Sequence, residues 1–230
     1  MSSSISYSKN FPDYPAVNMS VTASHNQNNN TQAINLTLPT FQASMERIYP
    51  FAKRDGIKKG ILQNINFTYS TRGENRFQTT DSLFFKKEMF KGAKLGMTHS
   101  IPFNTNFKVA KYFSVSVGGS YEDSWVFETF NKRVENGMLI KDTIKGFDRF
   151  NKYNLSASIG TTVYGTFAFK EGSKIQALRH VIRPSISIGY LPSFDQFYDS
   201  YLDANGKMVQ YTKFEGSMFG APGLQSSTSV

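Results

Sequence analysis

The 230 residues hold 26 Lys and Arg against 17 Asp and Glu, a formal net charge of +9, with no cysteine and a mean hydropathy of −0.38. That excludes a disulfide framework and a thiolate metal site. No run of aliphatic and aromatic residues exceeds three, which excludes a membrane-spanning helix of about 20 apolar residues, yet a barrel strand turns only alternate residues to lipid and is compatible with low hydropathy.

In chain order, turn residues and period-two alternation predict about nine strands: Ser2 to Lys9, Ala16 to His25, Thr31 to Ala43, Gly60 to Arg72, Ala93 to Val109, Tyr112 to Phe130, Phe147 to Lys170, Gln176 to Tyr190 and Lys213 to Gly220. The alternation is clearest from Asn154 to Phe169. Leu155, Ala157, Ile159, Val163, Phe167 and Phe169 share one parity; Ser156, Ser158, Gly160, Thr162 and Thr166 share the other. Successive strand side chains point to opposite faces, so each such segment has one apolar face and one small, uncharged polar face. Soluble antiparallel sheets place Lys, Glu and Arg on the wet side, whereas a lumen lined by Ser, Thr, Asn and Gly is the habit of transmembrane barrels. The predicted fold is therefore all-β, an antiparallel up-and-down transmembrane β-barrel segment of about nine strands from a larger barrel, with residues 1–230 forming part of one outer-membrane barrel domain. The amino terminus starts in strand pattern with no apolar leader, as expected of an internal piece of a longer protein.

Connections at Ala110-Lys111 and Glu171-Gly-Ser-Lys174 read as tight, and those at Gly73 to Gly92, Asn131 to Gly146 and Leu191 to Thr212 as long and charged. Short turns on one rim and long loops on the other are the habit of outer-membrane barrels. Trp125, Phe127 and Phe130, faced by Phe150 and Tyr153, read as an interfacial belt.

No catalytic constellation is present. His25, His99 and His180 lack metal-ligand spacing, the glycines Gly118, Gly119 and Gly160 lie inside strands and not in a phosphate-binding loop, and neither enzyme activity nor a cofactor is expected. The basic clusters at Lys53 to Lys59, Lys86 to Lys94 and Lys132 to Lys145 fall in expected loops with no helix or stacking motif behind them, so no nucleic acid is expected as a partner; an anionic membrane surface, or solubility alone, accounts for them. Extending strand parity places Lys152, Lys170, Arg179 and Arg183 on the inner face, where paired donors could meet the phosphates of an anionic substrate.

Segments in order along the chain, above all Arg47-Ile-Tyr-Pro-Phe51 and Arg179-His-Val-Ile-Arg-Pro184, with Thr80-Asp-Ser-Leu-Phe-Phe85 and His99-Ser-Ile-Pro-Phe103, resemble the barrel domain of LptD-like lipopolysaccharide-assembly proteins. The resemblance implies a barrel in the outer membrane of a Gram-negative bacterium that receives lipopolysaccharide from periplasmic bridge proteins and inserts it into the outer leaflet, with a plug lipoprotein as a further partner. By the same resemblance, the family's periplasmic amino-terminal domain and barrel seam are expected to lie outside these residues. Two other readings fit parts of the pattern: a generic porin or receptor barrel, which an inward-folded constriction loop would favour, and a soluble cell-surface β-sandwich adhesin, which predicts charged wet faces and shorter strands.

Overall fold

The computed structural model describes residues 1–170, 172 and 174–230. Its core element is one nine-stranded sheet in which every pairing is antiparallel. The strands are β1 (Ser2–Phe11), β2 (Val17–Asn28), β3 (Ala33–Ile48), β4 (Asn66–Thr80), β5 (Lys94–Val109), β6 (Phe113–Glu135) and β7 (Met138–Thr161), each beside its predecessor, followed by β10 (Ser185–Leu191) and β13 (Ser227–Ser229). The intervening β8 (Val163–Ala168) and β9 (Ala177–Ile182) pair with each other, as do β11 (Tyr198–Leu202) and β12 (Met208–Thr212). The sheet is open: β1 and β13 are its two edges. Two short helices, α1 (Gly60–Gln63) and α2 (Lys87–Lys91), lie in connections.

Strand pairing carries the predicted parity across the whole sheet. Tyr7 pairs with Val21 and Val21 with Phe41. Farther along, Val115 pairs with Phe107 and Ile159, and Ile159 with Ile186. The opposite face carries Ser8 paired with Ser20 and Ser20 with Gln42, Ser44 paired with Ser70 and Ser70 with Ser100, and Ser116 paired with Ser158 and Ser158 with Ser187. The first set forms the apolar face of the sheet and the second its polar face.

Some boundaries differ from expectation. Asn131 to Gly146 is not a loop: β6 and β7 run on to Glu135 and Met138 and turn through Asn136 and Gly137, whose φ values of 52° and 78° suit a primed hairpin turn. Gly73 to Thr80 likewise continues β4. Lys213 to Gly220 is a succession of turns, and the ninth strand of the sheet is instead β13. The long predicted strand Phe147 to Lys170 is divided at Thr162, and Gln176 to Tyr190 at Arg183-Pro184, where proline supplies no N–H. The register nevertheless runs through the break: Gly160 pairs with Ser185, the Thr161 N–H donates to the Pro184 carbonyl, and Val163 pairs with Ile182. The tight connection expected at Glu171-Gly-Ser-Lys174 includes Glu171 and Ser173, which lie outside the described residues.

The rims separate loop lengths only in part. Residues 110–112 and the β8–β9 hairpin share one rim with the connection 49–65, which contains α1, while 29–32 is short on the other. That second rim, the loop rim, carries 81–93 with α2, the β6–β7 hairpin and the long segment 192–226.

Among the described residues, two small hydrophobic clusters are buried. Ile34, Leu36, Phe77 and Met89 form one on the apolar face, beneath α2. Val126, Phe150 and Phe214, with Phe197 packed against them, form the other on the polar face. By the usual scaling a compact monomer of 25.9 kDa exposes roughly 10,500 Å², whereas this chain exposes 15930 Å². The excess is the two open faces of the sheet. A β-sandwich would have closed one of them.

Candidate functional site

The polar face forms a trough. Across β1 to β5 a groove of about 410 Å³ is lined by Ser8, Asn18, Ser20, Gln42, Ser70 and Arg72. Beyond it, Arg47, Asn66, Thr68, Asn104, Ser120 and Asn154 line a second of about 320 Å³. Short hydroxyl and amide side chains supply most of the polar groups of both surfaces, with Arg72 in the first and Arg47 in the second, and such groups can exchange hydrogen bonds with many hydroxyl groups and select none strongly.

Fixed charge enters on β4. Arg72, Glu74 and Arg76 stand at alternate positions and so share the polar face. The Glu74 side chain is 2% exposed and is gripped by both guanidinium groups, Arg76 at 2.5 Å from Oε2 and Arg72 on Oε1. One carboxylate aligns two arginines, and each keeps about half of its surface free. Sequence analysis missed this pair, although the Arg-x-Glu-x-Arg spacing inside a strand pattern signals it.

The four predicted substrate-path residues do not come together: Lys152 lies inside β7, and the other three lie beyond its Thr161 end. Lys152 is committed to other partners: its amine lies 3.0 Å from Glu122 and donates to the Phe219 carbonyl at 3.5 Å. Arg179 stacks over the Tyr164 ring at 4.6 Å and pairs in register with Thr166. The uninterrupted register puts Arg183 on the same polar face, beside the break, and both arginines are exposed with no ion pair among the described residues. Lys170 is exposed just past β8. Thr166 lies fourteen residues along the chain from Lys152, roughly 46 Å of extended strand, so Lys152 does not join the other three.

Over the loop-rim end of the same face lies the segment that leaves β10. Phe214 is 1% exposed and packs against Phe150 and Phe197 at 4.7 and 5.8 Å. The Phe130 N–H donates to the Lys213 carbonyl, and the Tyr211 hydroxyl donates to Asn131 Oδ1 at 2.6 Å. Lys213 pairs with Asp148 at 2.6 Å and Lys132 with Glu215. The Lys132 ammonium holds the Glu215 carboxyl below the usual carboxylate range. Phe150 and Phe130 thus serve this cover, while Trp125 and Phe127 lie on the apolar face against Phe147 at 5.9 and 5.6 Å. The expected aromatic belt is split between two faces.

On the apolar face hydrophobic side chains remain exposed, among them Ile159 at 38% and Ile186 at 59%. A shallow depression of about 340 Å³ lies between Val115, Ala157, Ile159, Ile186 and Ile188. Toward the loop rim this face turns polar at Thr71, His99, Asp123 and Asn151, which pair in one row. There Tyr69 Oη meets His99 Nδ1 at 2.7 Å, and Trp125 Nε1 donates to Asp123 Oδ2 at 2.9 Å.

A family model described as LptD protein matches residues 1–230, the whole length. The chain belongs to the LptD protein family. Membership gives it a general role in lipopolysaccharide transport and assembly, and the family is one of outer-membrane proteins of Gram-negative bacteria, not a known enzyme family. No curated protein and no solved structure matches the chain.

Proposed function

We propose that this chain is a stretch of wall in the outer-membrane barrel through which lipopolysaccharide is delivered to the outer leaflet, acting by binding and guidance without covalent chemistry. The observation that carries the reading is the segregation of faces across successive strands. From Phe113 to Tyr121 the apolar face of β6 shows Phe, Val, Val, Gly and Tyr, a nine-residue span that matches the 9–11 residues of a tilted barrel crossing. Its row of Thr71, His99, Asp123 and Asn151 then stands at the headgroup level, with Trp125 and Tyr69 as interfacial aromatics. The remaining residues of β6 and β7 project beyond the membrane as a ribbon.

In this reading the sugars of the glycolipid travel along the polar trough. Arg179 and Arg183 at the short-turn, periplasmic rim receive its phosphates, with Lys170 beside them, and the Arg72–Glu74–Arg76 group offers a second station farther up. Acyl chains pass sideways to lipid. The periplasmic bridge proteins, and a plug lipoprotein within the lumen, are the partners this route requires.

The cover over Val126 and Phe150 also favours a second reading, a porin-like barrel constricted from within. A photoreactive amino acid at Ser20, Ser44 or Ser158 in the full-length protein separates the two. The transport reading predicts ultraviolet-dependent adducts with lipopolysaccharide at these positions, weakened when Arg179 and Arg183 are both replaced by Glu. Adducts absent from all three, in a protein that assembles normally, would overturn it.

A further inference from the structure

We infer that the connection between β4 and β5 clasps phosphorylated sugars of glycolipids that surround the barrel on the outside; this rests on the membrane reading above. Residues 81–93 do not project freely. Met89 of α2 is 3% exposed and seats on Ile34, Leu36 and Phe77. Leu36 and Phe77 are paired neighbours on the apolar face of the sheet, so the connection lies on the outer side and not over the trough.

Docking leaves an aromatic chain leading away from the sheet. Phe90 meets Phe77 edge-on at 5.8 Å, Phe85 lies 6.4 Å from Phe90, and Phe84 lies 4.6 Å from Phe85. Phe85 remains 66% exposed and Phe90 51%. Phe85 also has a φ of 56°, a left-handed conformation that is sterically unfavourable for so bulky a side chain. Around these rings stand Lys86, Lys87, Lys91 and Lys94, all exposed and free of ion pairs among the described residues, against the two carboxylates of Asp81 and Glu88. Lysines on flexible stems beside apolar rings suit a ligand with separated anionic and apolar faces.

Height identifies that ligand. Phe77 lies six residues beyond Thr71, where the apolar band ends. That is about 20 Å along the strand, and about 15 Å vertically at a barrel tilt near 40°. A phospholipid headgroup layer is about 5–7 Å deep and stops short. A phosphorylated oligosaccharide headgroup reaches, offering phosphates to the lysines and the C–H faces of its rings to Phe85 and Phe90.

Hydrogen exchange of residues 81–93 in the full-length protein tests the assignment, using phosphatidylcholine vesicles that contain lipopolysaccharide with a phosphorylated core, lipid A without core sugars, or phosphatidylglycerol. Slower exchange is expected with the core-bearing glycolipid alone, and is expected to be lost when Lys86, Lys87, Lys91 and Lys94 are all changed to Gln. A nitroxide on Ile159→Cys, collided with an aqueous nickel chelate in the same vesicles, reports the membrane reading separately. With that label shielded, unchanged exchange in core-bearing vesicles, equal slowing by phosphatidylglycerol, or slowing that survives the lysine changes would each overturn the clasp. With that label open to the chelate, the membrane reading falls and the clasp with it.

Discussion

Phe214→Ala is the sharpest test of the cover on the polar face. The ring is 1% exposed and fills the space between Phe150, Phe197 and Val126. Truncating such a buried phenylalanine costs about 3–5 kcal/mol through lost transfer energy and the cavity left behind. Most of that cost falls on the docked state of the segment, because β6 and β7 keep their own ladder when it lifts. At about 1.4 kcal/mol per factor of ten, even the lower figure raises the open population by roughly 150-fold. Trypsin cleavage after Lys207 and Lys213, under conditions where opening is fast relative to cutting, should accelerate accordingly. Met208→Ala, at a side chain 66% exposed, should shift the rate by no more than about 0.5 kcal/mol equivalent. Equal cleavage of wild type and Phe214→Ala would refute the docking of this segment on the sheet.

Gly119→Ala should disrupt assembly, since the new methyl group would lie 2.2 Å from the Asn154 carbonyl oxygen, whereas Gly73→Ala, with no atom nearer than 3.7 Å, should assemble normally; yields of folded protein by heat-modified electrophoresis compare them. Acid should loosen the cover. The folded-state value of Glu215 is depressed by Lys132, so its contribution is present above the ordinary glutamate range and is lost as pH falls through the lowered value. The side chain is half exposed, and the effect stays under about 1 kcal/mol. Trypsin does not report at such pH, so pepsin digestion below pH 4 should show the loosening, and Glu215→Gln should already be loosened at neutral pH.

What was legible in the sequence followed from the period-two constraint. Leu155, Ala157 and Ile159 had to share a face once the segment was a strand, and neighbouring strands with the same pattern had to align those faces. Where that constraint lapses, the reading failed. Asn131 to Gly146 has no apolar alternation, because the ribbon there is held by charge pairs such as Lys145 with Glu128 and Arg133 with Asp142, and its composition imitates a loop. The Asn136-Gly137 turn was the available signal. Phe130 and Phe150 looked like belt residues because sequence shows an aromatic but not the covering segment more than sixty residues away, in which Phe214 packs on Phe150 and the Lys213 carbonyl accepts from the Phe130 N–H. The parity of Lys152 with Ser156 and Ser158 is legible in the sequence, but its tie to Glu122 is not, since that depends on the register of β6 with β7. Docking of α2 on Ile34, Leu36 and Phe77 left no periodic trace in so short a helix.

Arginine at two adjacent positions of β7 tests the central claim most directly. Ile159 faces out with Val115 and Ile186 beside it, and Ser158 faces the trough with Ser116 and Ser187. An arginine on the lipid face near the bilayer midplane costs about 2–4 kcal/mol, while one on the lumen side costs far less. Measured as folded barrel in outer-membrane fractions of cells making the full-length protein, Ile159→Arg should be strongly depleted and Ser158→Arg close to wild type. Equal yields for the two variants would contradict the assignment of these faces to lipid and lumen.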